Sequence, residues 1–159
     1  MLYNGVYMGT IFSDSDIRVH VGDSDTTGYV WSVGKAFAEW LPEDGDVAIV
    51  MSQSADKSVA SAFVEGLILQ GRTVIEGGLG GQQEIYVLLN GHECAGAASL
   101  DYIEAQNLAV LSLFDAHGKA ISLQTGLREI NELANIGNFL PAASKGIVVK
   151  NNAPQQSAS

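Results

Sequence analysis

The sequence has a single cysteine, Cys94, among 159 residues, which excludes an internal disulfide and any cysteine-built zinc cluster. A lone cysteine of this kind is expected to act as a small buried apolar residue. Basic residues are scarce too: 8 lysines and arginines stand against 18 aspartates and glutamates, a formal charge of −10. Such a balance repels phosphate backbones and anionic lipid heads, so nucleic acid and membrane surfaces are poor partners. It also works against capture of a phosphorylated sugar. Long apolar runs are missing: Ile85 to Leu89 and Leu108 to Phe114 are far too short to cross a bilayer. The opening "MLYNGVYMGTIF" has no basic leader and is interrupted by glycines, so it does not read as a signal peptide. A cytoplasmic setting is expected.

Several catalytic signatures are missing as well. "GGLGG" (Gly77 to Gly81) lies between a strand and a helix, where backbone N–H groups can cradle phosphate. No lysine follows it in the P-loop pattern, and its spacing is not G-x-G-x-x-G, so a flexible turn is the simpler expectation. There is no G-x-S-x-G elbow. His20, His92 and His117 show no metal-ligand spacing. The two "DSD" runs, Asp14 to Asp16 and Asp23 to Asp25, lack the glycine and spaced ligands of a calcium loop. Helix capping and turn formation account for them.

What is present is enough apolar content, 47%, to build one compact core. A strand is expected over Gly5 to Phe12. A helix capped by Thr26 or Thr27 should run to Trp40, with Val30, Val33, Phe37 and Trp40 as its apolar stripe. "LPEDGD" breaks it, and Asp46 to Met51 reads as a strand covered on both faces. Ser54 or Asp56 should open a second helix with Val59, Ala60, Phe63, Leu67 and Ile68 inward, stopped by Gly71. "RTVIE" is the next strand, followed by a helix over Gln82 to Leu89. "ECAGAAS" and "LAVLSLFD" are two further strands, with a polar stretch at Leu100 to Asn107 between them. "DAHGK" is a turn that uses Gly118. A last helix starts near Thr125, with Leu127, Ile130, Leu133 and Ala134 inward. The alternation predicts an α/β fold of three αβα layers around a mixed, mostly parallel sheet. Residues 1–150 should form one domain and 151–159 a disordered polar tail.

Two polar residues stand out. Arg18 follows a strand in "SDSDIRV", and a guanidinium fork matches two phosphate oxygens at once; the plainer alternative is a surface ion pair with Asp14 or Asp16. Ser99 sits at the expected end of the "CAGAA" strand, where a serine with a metal and a base nearby can carry phosphate. The plainer alternative is an ordinary loop serine, since no base or metal cluster is visible near it.

The order of these segments resembles the first domain of the α-D-phosphohexomutases, the phosphomannomutase and phosphoglucomutase family. "SDIRV" stands for the family's "YDIRG", "VGKAFAEW" is similar to its first helix motif, and "VAIVMSQSADKS" occupies the place of its "GRDxR" loop. "FVEGLILQGRTVIEGG" resembles the second helix and strand, and "GAASLDYIEAQNLAV" falls over the serine loop "TASHNPxxYNGxK". "FDAHGK" matches the hairpin beyond it. The similarity spans roughly residues 10 to 135. It implies a catalytic phosphoserine position at Ser99 and a phosphate contact at Arg18. The departures are considerable: Leu100, Asp101, Tyr102 and Ala109 stand where the family has histidine, asparagine, proline and lysine. Both arginines of "GRDxR" are gone, and "GQ" replaces the "TP" pair. In the family the metal-binding aspartate loop, the sugar-discriminating loop and the phosphate-binding loop belong to later domains. The resemblance therefore implies no stand-alone mutase activity, and no cofactor unless another chain completes a Mg2+ site. It implies a degenerate pseudoenzyme acting as a binding or interaction module. Its partners would be a second copy, a larger mutase-like chain or a phosphosugar.

Overall fold

A computed structural model describes residues 2–3 and 6–151. Gly5 and the tail 152–159 lie outside these, while Asn151 donates its N–H to the Glu76 carbonyl. Leu2–Tyr3 (β1) and Val6–Tyr7 (β2) pair as a separate antiparallel ribbon. The strand expected over Gly5 to Phe12 is thus two elements, for Ile11–Phe12 (β3) joins the main sheet instead. The chain then runs through Ile17–His20 (β4), Ser24–Trp40 (α1), Asp46–Met51 (β5), Lys57–Leu69 (α2) and Val74–Leu79 (β6). Gln82–Gly91 (α3), Cys94–Ile103 (β7), Leu108–Asp115 (β8), Arg128–Ile136 (α4) and Val148–Lys150 (β9) complete it.

The main sheet has seven strands in the order β3-β4-β8-β7-β5-β6-β9. β7, β5, β6 and β9 are parallel neighbours, whereas β3, β4, β8 and β7 pair antiparallel. Only β3 and β8 therefore run against the common direction, and the expected mixed, mostly parallel αβα architecture is what the chain adopts. The β5–α2–β6 and β6–α3–β7 crossovers move in opposite directions across the sheet. A shared right-handed connection then requires α2 and α3 on opposite faces, and the two apolar clusters show that they are.

One face carries Ile17, Val19, Val47, Ile49, Ala98, Leu100, Leu111 and Leu113 and is covered by α1, α2 and α4. The predicted stripes supply the cover: Val30, Val33 and Phe37 from α1, Val59, Phe63 and Leu67 from α2, Ile130 and Ala134 from α4. α1 and α2 meet at paired glycines. A Cβ on Gly34 would lie 2.3 Å from the Phe63 carbonyl oxygen, and one on Gly66 2.2 Å from that of Trp31. These two positions let the helix backbones touch.

The caps are chosen among close competitors. Asp23, not Thr26 or Thr27, opens α1, its carboxylate accepting from the Asp25 N–H at 3.0 Å. Asp56 opens α2, accepting from the Val59 N–H at 3.0 Å. Gly71 follows α2 with a φ of +90°, a conformation glycine adopts without a side-chain clash. Arg72 closes α1 from outside: it bonds the carbonyls of Ala38, Glu43 and Gly45 at 2.8–2.9 Å, joining the helix end to the "LPEDGD" turn. Because its partners are neutral carbonyls, burial pulls the guanidinium pKa down, against the pull of Asp44, Glu39 and Asp46.

Candidate functional site

Alternation along β4 decides where Arg18 points. Ile17 and Val19 enter the core, so Arg18 leaves on the other face. Register then builds a row across the strands, Ile11–Arg18–Val110–Asp101, because directly opposed residues share a face. Ser99 opposes Ser112 on the adjacent row of the same face and lies beside Val50 of β5. Arg18 and Ser99 are consequently on one side of the sheet. They are not adjacent: two strand spacings and two residues separate their backbones by about 12 Å.

Only α3 covers this face, and it does so over the parallel half, where Ile85 and Leu88 pack on Ala48, Val50, Ile75, Ala97 and Phe114. The antiparallel half has no helix over it among the described residues. Arg18, Val110, Ser112, Ser99 and Ile103 remain half-buried there, with Ile11, His20 and Asp101 exposed.

The expected strand end at Ser99 is corrected by the structure. β7 continues to Ile103, and the tight turn is confined to Glu104–Asn107, where Asn107 takes the left-handed conformation. Ser99 is therefore mid-strand, flanked by Val50 on one side and Ser112 on the other. The residues Leu100 to Ile103 belong to the stretch Leu100 to Asn107, whose polar content places it between the two strands in the sequence reading. Alternation of apolar and polar residues is what a strand with one buried face requires, and Leu100 is buried while Asp101 is exposed.

Arg18 has a partner already. Its Nε donates to Asp16 Oδ1 at 2.9 Å and its Nη2 to Asp16 Oδ2 at 3.4 Å, with 32% of the side chain exposed. That hydrogen bond, and then the carboxylate's charge, raise the guanidinium pKa. A phosphate would share the guanidinium with Asp16, using the donors on the Nη1 side, or displace it.

The other candidate positions are quieter still. Gly77, Gly78 and Leu79 belong to β6, so the glycine-rich turn shrinks to Gly80 and Gly81. The N-terminus of α3 is occupied by a carboxylate of the chain itself, since the Gly81 N–H donates to Glu84 Oε1 at 2.7 Å. The crevice between the ends of β5 and β6, where open α/β sheets bind ligands, holds Ser52 and Ser54, with hydroxyls 3.3 Å apart. Its Gly80 N–H is spent on the Met51 carbonyl. A depression of about 260 Å³ between the starts of α1 and α2 is lined by Asp23 and Asp56, both engaged in capping. His117 shapes the β8 turn, its N–H donating to Asp115 Oδ1. Among the described residues no group of three or more histidines, cysteines or carboxylates could hold a metal ion. Burial, with Asp46 nearby, pushes the Cys94 thiol up to about 11.

Sequence reasoning passed over Arg72 and the glycine contact, whose partners lie about thirty residues away. No local pattern announces either.

This layered sheet with helices on both faces defines an α/β domain of the kind found in phosphosugar mutases, and comparison with known proteins bears that out. No family model matches the chain. It is 29% identical over 133 residues to a phosphomannomutase of Escherichia coli, covering 83% of this chain and 29% of that protein. It is equally 29% identical over 133 residues to a phosphomannomutase of Klebsiella pneumoniae, there covering 85% of the relative. In three dimensions it superposes on a phosphoglucomutase/phosphomannomutase family protein of Burkholderia thailandensis with a TM-score of 0.67 and 15% identity. That match covers 91% of this chain and 33% of the other. The chain is thus similar to phosphomannomutases in sequence and fold, and spans about three-tenths of the length of the Escherichia coli protein.

Proposed function

We propose that this domain is a non-catalytic relative of the phosphomannomutases that works as a binding or interaction module. The observation that carries the proposal is the state of the segment aligned with the family's serine loop. It is a continuous strand, with Ser99 held in the ladder between β5 and β8. A serine that is to give and receive phosphate needs free approach, a base and a metal. Here its neighbours in register are Val50 and Ser112. The Asp16 carboxylate on Arg18 and the charge of −10 add to the case. Purified protein supplied with Mg2+, glucose or mannose 1-phosphate and a bisphosphate activator should show no turnover above background. Robust turnover would overturn the proposal.

A second reading makes the domain the phosphosugar-binding part of a split phosphohexomutase completed by another chain, which would also bring the Mg2+ site. It is favoured by one observation: Arg18 and Ser99 share the half of the sheet face that no helix covers. Calorimetry with glucose and mannose phosphates should then give heat that disappears in Arg18→Ala. Pull-down from the native cell should recover a larger mutase-like chain rather than a second copy of this one. Flat isotherms and recovery of self alone would count against it. No helix among the described residues is long and apolar enough to cross a membrane; a cytoplasmic setting is part of the proposal for either reading.

A further inference from the structure

An open groove lies away from Arg18 and Ser99, on the opposite face of the sheet, between α2 and the β6–β9 edge. It has a volume of about 570 Å³, within the range of small-molecule clefts. Its floor is apolar, formed by Met51, Val64 and Ile68 among others. Met51 stands where the β5–β6 register shifts, an irregularity of the sort that re-aims side chains beside sites.

The rim distinguishes this groove from a bare apolar face. Lys57 and Glu65 stand on the α2 wall, Glu76 and Lys145 on the wall opposite. None of the four forms an ion pair with another described residue. Lys57 and Glu65 are eight residues apart on one helix, a rise of about 12 Å. A ligand that satisfies both must carry opposite charges at that separation with an apolar body between them. An extended peptide of three residues spans about 10–11 Å between its termini, and its bulk suits the cavity.

We infer that this groove binds a short apolar peptide of about three residues with both termini free. Its carboxylate lies toward Lys57 and its ammonium toward Glu65. The inference does not depend on the mutase relationship, since none of these residues belongs to the Arg18–Ser99 face.

The test is a titration of the whole chain with Leu-Leu-Leu, followed by calorimetry and by amide chemical shifts. Saturable binding is expected, with shifts centred on α2 and β6. Acetylating the peptide's N-terminus or amidating its C-terminus should each weaken binding by about fivefold, as loss of one rim ion pair implies. Ser61→Trp, which fills the groove from an exposed position, should abolish binding while circular dichroism stays native. Should that variant misfold, Lys57→Gln combined with Glu65→Gln decides the matter by removing the dependence on free termini without filling the cavity. Absence of saturable binding, equal binding of blocked peptides, or shifts located on the Arg18 face would each overturn the inference. So would a change of oligomeric state in Ser61→Trp without any peptide binding, which would make the groove a contact between copies.

Discussion

The two faces of the sheet were built under different constraints. On the α1/α2/α4 face, backbone meets backbone at Gly34 and Gly66, and Phe37 and Phe63 are fully buried beneath. On the other face, α3 covers the parallel half alone, and the antiparallel half exposes Arg18, Ser99, Ser112 and Asp101 in varying degree. At that glycine contact the first face tolerates almost no added volume, because close-packed interiors cannot shift a backbone cheaply. The second is bounded by solvent, and polar side chains there cost little to keep. Arg18 and Ser99 both lie on the permissive face.

That contrast is open to direct measurement, and the largest effect should fall at the helix contact. Gly66→Ala places a methyl against the Trp31 carbonyl and should lower stability by about 3 kcal/mol in urea denaturation, or prevent folding. A loss below about 1 kcal/mol would show that the two helices slide apart easily and that the faces are not so different. Arg72→Met keeps the aliphatic stem but leaves the carbonyls of Ala38, Glu43 and Gly45 without their donor. A loss of about 2 kcal/mol is expected from such groups.

Tyr29 extends the comparison to pH. It is buried, stacks on Tyr7 with ring centroids 4.5 Å apart, and donates to Asn131. Burial, the leading cause, pushes its phenol up to about 12. The unfolded phenol ionises near 10, so the unfolded state sheds its proton first. This contribution to stability is therefore complete below pH 10 and is lost as pH rises toward 12, about 2–3 kcal/mol in all. Unfolding titrations between those limits should show the decline in the native protein and a smaller one in Tyr29→Phe.

Smaller effects belong to the start of β7 and the open face. The Cys94 thiol, raised to about 11, should react with a disulfide reagent at pH 8 several times more slowly than it does in the denatured chain. Equal rates would mean that the first residues of β7 open freely. Smallest of all, Arg18→Ala removes a partly exposed pair with Asp16 and should change stability by less than about 1 kcal/mol.

Much of the scaffold was legible in the linear order of residues. Asp46–Met51 and Leu108–Asp115 were read with the bounds they have, since runs of apolar residues between turn signals leave little choice. Gly118 was equally plain, and Asp56 was one of two candidates with Ser54, because capping and positive φ are local matters. Less legible was anything that depended on a partner strand. β9 is three exposed residues that become a strand only by pairing with β6. Gly77 to Leu79 read as loop by composition yet extend β6 beside β5. Ser99 looked like a strand end because it closes the "CAGAA" run ahead of the polar stretch Leu100 to Asn107, whereas its ladder with β8 carries the strand on to Ile103.

By itself, then, the order of amino acids determined the main helices and the central strands, and the alternation that sorts them into layers. Those follow from periodicity and short-range capping, which act over a few residues. Only the tertiary structure decided that Arg18 and Ser99 share a face at a distance, that Asp16 already engages the guanidinium, and that a charged-rim groove opens behind α2. Each of these depends on register between segments remote in the chain, and register is a property of the assembled sheet.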